Sequence, residues 1–419
     1  MHPNALLELA TDLLHKVMQF DSPADSVVSA FFRQHKALGP RERHTLADTT
    51  YHVLRERLLF QHLAQSGKGE LARRLAVLGW QGNAAFLRAA LSEQEQQWLT
   101  QVSAVDRASL PDKLRHNLPD WLAERLQAQL GDEFWPLVTS LNEPAPLDLR
   151  VNTFKARRDE VLAALAAGGI TAVATPHSPW GLRVDGKPAL NRIDAFTRGD
   201  VEVQDEGSQL LVLLTDAKRG EMVVDFCAGA GGKTLALGAA MRNTGRLYAF
   251  DTSGHRLAAM KPRLARSGLS NVHPAQIAHE RDERIKRLAG KIDRVLVDAP
   301  CSGLGTLRRN PALKWRTTAE DVAALRARQA AILEGAARLV KRGGRLVYAT
   351  CSPLDAEDEA IARAFTEARG GEFAPLPAAR CLTAAHVAEA DALVQGDFLR
   401  LWPHRHGTDA FFAAVWERS

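Results

Sequence analysis

Apolar residues at Leu6, Ala10, Leu13, Leu14 and Val17 recur at helical spacing, and Asp21-Ser22-Pro23 stops the run. A second helix is predicted after Leu38-Gly39-Pro40, with Leu46, Val53, Leu54 and Leu58 as its apolar positions. Residues 1–140 therefore read as an all-helical domain. Beyond the Pro-containing stretch 142–146 the period shortens. Residues 147–152 alternate like a strand, 161–167 read as a helix closed by Gly168-Gly169, and 170–173 and 181–184 read as short strands. Residues 141–215 thus predict a small mixed α/β subdomain.

Over 216–419 strands and helices alternate, the pattern of a parallel sheet with helices on both faces. Strands are predicted at 222–226, 246–251, 293–298 and 345–350, with helices at 234–241, 256–267 and 319–340, the last stopped by Lys341-Arg342-Gly343-Gly344. A late β pair fits 398–401 and 410–416.

Composition narrows the class. The 419 residues are 46% hydrophobic and 25% charged, which excludes a disordered chain. No apolar stretch is long enough to span a membrane. The start, with Glu8 and Asp12, lacks a signal-peptide core, so a cytoplasmic location is expected. A net charge of +5 permits a polyanionic partner without requiring one. Arg33, His35, Lys36, Arg41 and Arg43 cluster before the second helix, as a solvated helix end or an RNA-contacting patch. Four cysteines, Cys227, Cys301, Cys351 and Cys381, are too few and too scattered for a disulfide framework. None forms a C-x-x-C pair, so no metal site is expected.

The turn Cys227-Ala228-Gly229-Ala230-Gly231-Gly232-Lys233-Thr234 joins a strand to a helix, where glycines let backbone approach a ligand. A Walker A loop would need glycine where Cys227 stands, and a dinucleotide fingerprint would need it at Thr234. An adenosyl-binding turn remains. Asp251, 19 residues past Gly232 at the end of the next strand, is placed to accept ribose hydroxyls.

Two further motifs follow strands: Asp298-Ala299-Pro300-Cys301-Ser302-Gly303 and Ala349-Thr350-Cys351-Ser352-Pro353. Ligands of open α/β sheets bind beyond the strands' carboxyl ends, so both cysteines should face the glycine turn and Asp251. Cys381 reads as a small buried hydrophobe. Two thiols beside an adenosyl cofactor fit methylation of cytosine C5. A thiolate adding to C6 makes C5 nucleophilic toward the methyl of S-adenosylmethionine, and a base must then remove the C5 proton. Methylation of an exocyclic amine needs no covalent catalyst, and its Asp/Asn-Pro-Pro-aromatic pattern is absent here.

These motifs, with Arg309-Asn310-Pro311, Lys314-Trp315, Asp409-Ala410-Phe411-Phe412, Arg150-Val151-Asn152 and Gln204-Asp205-Glu206, resemble the RNA (cytosine-5)-methyltransferases. The likeness is strongest to the bacterial RsmB/Sun type, which acts on 16S ribosomal RNA. It implies a Rossmann-like class I methyltransferase domain preceded by a NusB-like RNA-binding helical domain. It also implies S-adenosylmethionine as cofactor and ribosomal RNA as partner, with no protein partner expected. By the same resemblance Cys351 is the nucleophile and Cys301 aids product release. Residues Cys227, Ala228, Gly229, Ala230, Gly231, Gly232 and Lys233 wrap the methionine end of the cofactor, Asp251 binds the ribose, and Asp298 lies beside the methyl and the base.

Two departures stand out. Gly229-Ala230 replaces the family's usual Ala-Pro, and residues 274–278 lack its adenine-side acid, for which Glu280 and Asp282 are candidate substitutes. The flipped cytosine needs phosphate and stacking contacts, for which Arg308, Arg309, Lys314, Arg316 and Trp315 are candidates, although Trp315 equally reads as core. The same chemistry on transfer RNA, and an assembly factor with a vestigial methyltransferase core, are the competing readings.

Overall fold

The first apolar run forms helix Pro3–Val17, burying Leu6, Leu7, Ala10, Leu13, Leu14 and Val17. Its start is fixed by Pro3 and by His2, whose ring nitrogen accepts from the Asn4 amide. Pro23 opens the next helix, Ala24–Gln34. The helix expected to carry Leu58 is instead two. Pro40–Arg55 ends where Glu56 leaves helical geometry (φ −106°, ψ 30°), and Leu58 lies half-buried on Arg57–Ala64.

The computed structural model describes residues 1–419 and divides into two units. The helical unit is Met1–Pro144 together with Thr306–Ala319, and the other is Ala145–Gly305 with Glu320–Ser419. For Lys314, Trp315 and Arg316, segment Thr306–Ala319 corrects the phosphate-and-stacking expectation. Ala312 and Trp315 join the apolar core of the helical unit, and the Trp315 indole N–H donates to Leu54 O at 2.7 Å. Lys314 is 2% exposed and donates to Arg55 O at 2.8 Å and Asn142 Oδ1 at 3.2 Å. Arg316 donates to Phe20 O, and Arg55 donates to Arg308 O. These side chains hold the unit together, because a charge or indole N–H can be buried only where it finds such partners.

The second unit holds two sheets. The smaller comprises β1 (Leu147–Val151), β2 (Ala172–Ala174), β3 (Gly181–Val184) and β4 (Val201–Val203), antiparallel in the order β2-β3-β1-β4. Its core of Leu149, Val151, Leu182, Val184 and Val201 includes Val161 and Leu165 from helix Arg158–Ala167. Arg150 donates to Gln204 Oε1 at 2.6 Å, and Asn152 donates to Gly199 O and Ser267 O, both at 3.0 Å. The first bond joins the Arg-Val-Asn and Gln-Asp-Glu motifs within this sheet, and Asn152 ties it to helix Gly254–Ser267.

The larger sheet contains β5 (Met222–Phe226), β6 (Arg246–Asp251), β7 (Val272–Gln276), β8 (Ile292–Asp298) and β9 (Val340–Thr350) as parallel neighbours. β10 (Phe373–Leu376), β11 (Val394–Gln395), β12 (Phe398–Leu401) and β13 (Phe411–Arg418) add an antiparallel half. The order is β11-β12-β13-β9-β8-β5-β6-β7, with β10 beside β13. Alternate residues feed two cores: Val224, Phe226, Val295, Val297, Leu346 and Tyr348 on one face, and Val223, Leu247, Leu296, Val347 and Ala349 on the other. The helix expected to reach residue 340 ends at Ala337, and Val340 already pairs with Ile292. The polar-glycine run that follows is an irregularity within β9 rather than a helix stop. No helix is long and apolar enough to cross a membrane. Strand order reverses between β5 and β8, the switch point where open α/β sheets form a crevice at their carboxyl ends.

Candidate active site

At that crevice β5 ends in Asp225-Phe226 and the chain turns sharply. Cys227 takes φ 73°, unusual for a residue with a side chain. Gly231 has φ 86°, and a Cβ there would lie 2.5 Å from Met260 Cγ, so only glycine fits. Helix Gly232–Ala240 follows, and its Thr234 hydroxyl donates to Asp225 Oδ2 at 2.6 Å. The other Asp225 oxygen is buried without a partner, and burial pushes this carboxyl up to about 7.

From the end of β6, Asp251 accepts the Gly229 N–H at 2.8 Å and the Ser253 N–H at 2.7 Å, one on each oxygen. It thereby ties the glycine turn to the next loop. Asp251 and Cys227 line a cavity of about 430 Å³ with Phe226, Arg256, Ile277 and Glu280. Burial, and then the charges of Asp298, Asp251 and Asp225, push the Cys227 thiol up, so this sulfur stays neutral. Of the two substitutes for the adenine-side acid, Glu280 lines the cavity. Asp282 caps helix Glu283–Lys286 instead, accepting from the Arg284 and Ala278 amides.

On the other side of β5, the ends of β8 and β9 bring the two cysteine motifs together. Cys301 Sγ and Cys351 Sγ are 3.4 Å apart, both free thiols and both partly exposed. Gly305 closes the loop after Cys301 onto the chain at Cys351. Its N–H donates to Cys351 O at 2.9 Å, and a Cβ there would lie 2.3 Å from Ala410 O. Asp298 receives the Lys233 ammonium at 2.7 Å. Burial opposes that ammonium, but Asp298, with help from Cys351 and Asp225, raises its pKa above the ordinary lysine value. The bond with the Cys351 sulfur, then burial, push the Cys301 thiol well up. Cys381 is far from this chemistry in kind, 5% exposed within an apolar core.

The family model described as 16S rRNA methyltransferase RsmB/F matches residues 212–417, and that of the RsmF/B-like ferredoxin-like domain matches 118–191. A Mycobacterium tuberculosis protein with a methyltransferase name is 34% identical over 98% of this chain and 88% of its own. The chain belongs to the RsmB/F methyltransferase family. A Sodalis glossinidius relative, ribosomal RNA small subunit methyltransferase B, is 36% identical over 60% of this chain, which spans 58% of that protein's length. The chain spans 66% of a Synechocystis relative. The crystal structure of PH0851 superposes over 100% of this chain and 99% of its own, with a TM-score of 0.82 and 26% identity.

RsmB/F membership makes S-adenosylmethionine the cofactor to test against these residues, and the donor set fits. Cys227, at the start of the turn, lines the cavity, and the Asp251 carboxylate, 6% exposed, retains acceptor capacity beyond its two amide bonds. Sequence reasoning brought together Cys227, Ala228, Gly229, Ala230, Gly231, Gly232, Lys233, Asp251, Asp298, Cys301 and Cys351, and the structure places all of them around this crevice. Ala230 holds its turn through its carbonyl, which accepts from Arg263 at 2.7 Å. Sequence reasoning missed Glu357, a buried acid joined to both cysteine loops. Among the acids of the run Asp355-Ala356-Glu357-Asp358-Glu359 nothing local singles it out.

Proposed function

We propose that this protein methylates C5 of cytosine in RNA, with 16S ribosomal RNA as the substrate, using S-adenosylmethionine. The observation that carries the reading is the pair of cysteine sulfurs 3.4 Å apart beside the Lys233–Asp298 ion pair. When bound, the cofactor supplies an electrophilic methyl group. Asp251 would hold its ribose hydroxyls, the turn 227–233 its methionine end, and Glu280 would face its adenine. Cys351, after giving its thiol proton to solvent, forms a bond from its sulfur to cytosine C6, which places electron density on C5 for methyl transfer. Cys301 starts as a thiol because its bond with Cys351 favours the neutral form. Once Cys351 is bonded to carbon that cause is gone, although burial still favours the neutral thiol; in this reading Cys301 passes its thiol proton to solvent and takes the C5 proton. Departure of that proton expels the Cys351 thiolate and restores the double bond.

The helical unit supplies RNA affinity in this reading, as a NusB-like domain. Arg33, Lys36 and Arg41 are exposed there, whereas His35 stacks on Phe31 and Arg43 donates to Leu38 O. The test is a denaturing gel of RNA and cofactor mixed with Cys301→Ala, Cys351→Ala and the double variant. A covalent adduct accumulating only in Cys301→Ala is expected. An adduct in Cys351→Ala would exchange the two roles, and none in any variant that binds both ligands would favour an assembly factor. Methylation of purified transfer RNA but not ribosomal RNA would move the substrate.

A further inference from the structure

The strand ladder cannot set the spacing of the two sulfurs. The last paired residues of β8 and β9 are Asp298 and Ala349, followed by one more bond from Ala299 N–H to Ala349 O. Cys301 and Cys351 lie beyond it, each on irregular backbone. On the Cys351 side, Gly305 touches only the carbonyl.

What spans the two loops is Glu357, fully buried between β9 and helix Glu359–Arg369. Its Oε1 accepts the Ser302 N–H at 2.8 Å and the Gln329 amide at 3.0 Å. Its Oε2 accepts the Ser302 hydroxyl and the Ser352 hydroxyl, both at 2.6 Å. Ser302 and Ser352 are the residues directly after the two cysteines. Gln329 also donates to Pro300 O at 3.0 Å, directly before Cys301, and the Tyr348 hydroxyl donates to Glu357 O at 2.6 Å. A buried carboxylate is tolerated only when such donors replace its water, and three of these four come from the residues that directly follow the cysteines. An apolar side chain of equal size would fill the space and join nothing.

We infer that Glu357 is a positioning residue whose carboxylate clasps the residue after each cysteine and so holds the two sulfurs at a working separation. Cys351 and Cys301 act in succession on adjacent atoms of one ring, so the mutual placement of the sulfurs governs the second step as much as the first. The catalytic consequence rests on the cytosine-5 reading; the geometric content does not.

The experiment therefore reads spacing directly. The full-length protein is treated with dibromobimane, which fluoresces when both its arms alkylate neighbouring thiols, and Cys301→Ser identifies the signal from this pair. Wild type should crosslink. Glu357→Gln, and separately Ser302→Ala with Ser352→Ala, should lower the crosslinked fraction about fivefold at equal first-arm alkylation. Methyl transfer should fall about tenfold or more in kcat, with KM for RNA and cofactor within about twofold and cofactor affinity unchanged. Wild-type crosslinking in both variants, or a loss confined to KM, overturns the proposal. If Glu357→Gln fails to fold, the serine pair decides, since it leaves the carboxylate and its bonds to Ser302 N–H and Gln329. Loss of crosslinking in the variants of a protein that methylates no cytosine would sink the function and leave the clasp standing.

Discussion

Lys314 offers a quantitative check on the helical unit. Its ammonium sits 2% exposed with two neutral acceptors, and burial, aided by the positive charge of Arg55, lowers its pKa from 10.5 to about 7. Between those values the unfolded chain holds a proton that the folded unit has given up. Folding stability from this group is therefore least below pH 7, rises as pH climbs, and levels off near 10.5. The slope cannot exceed about 1.4 kcal/mol per pH unit, which gives about 2 kcal/mol between pH 7 and pH 9. Lys314→Met fills similar volume and cannot titrate. Urea denaturation from pH 6 to 9.5, read by hydrogen exchange in peptides from Arg57–Ala64, should show stability rising less steeply in the variant by that amount. Parallel pH profiles for the two proteins would refute a neutral buried lysine, whatever the absolute stabilities.

Three other outcomes follow from the site. Asp251→Ala removes the acceptor proposed for the ribose hydroxyls and the tie to Gly229, so cofactor affinity by calorimetry should fall about tenfold or more. Glu280→Ala should weaken cofactor binding, while Asp282→Ala should leave it intact and destabilise the cap by about 1 kcal/mol in a thermal melt; the reverse pattern would reassign the adenine side. Replacing exposed Arg33, Lys36 and Arg41 with Ala should lower RNA affinity and flatten its dependence on salt concentration, and an unchanged salt slope would remove this face from the RNA path.

What the sequence revealed followed the reach of local rules. Helix Pro3–Val17 announces itself because one-sided burial leaves a period, and strands β5, β6 and β8 because short apolar runs buried on both faces end at turn residues. Cys301 and Cys351 stood out because Pro and Ser flank them at strand ends, where a packing cysteine would have apolar neighbours. The end of helix Ala319–Ala337 was misjudged because β9 begins with charged residues that read as a helix stop. Lys314 and Arg308 looked like phosphate ligands because charge is visible in a sequence and burial is not. Glu357 was hidden for the same reason: its donors come from Ser302, Gln329 and Ser352, brought together only by the tertiary fold.

The two units are interleaved along the chain, and this limits how the protein can be dissected. A cut at Pro144 does not free a complete N-terminal unit, because the catalytic piece would carry away Thr306–Ala319 without the groups it binds. Trp315 would lose Leu54, Lys314 would lose Arg55 and Asn142, and Arg316 would lose Phe20, stranding an indole and two cations directly downstream of the Cys301 loop. Such a fragment tests a damaged loop rather than an isolated enzyme. Evolution faces the same constraint: recombination that exchanges only the N-terminal helices must bring a matching 306–319 segment from the middle of the gene.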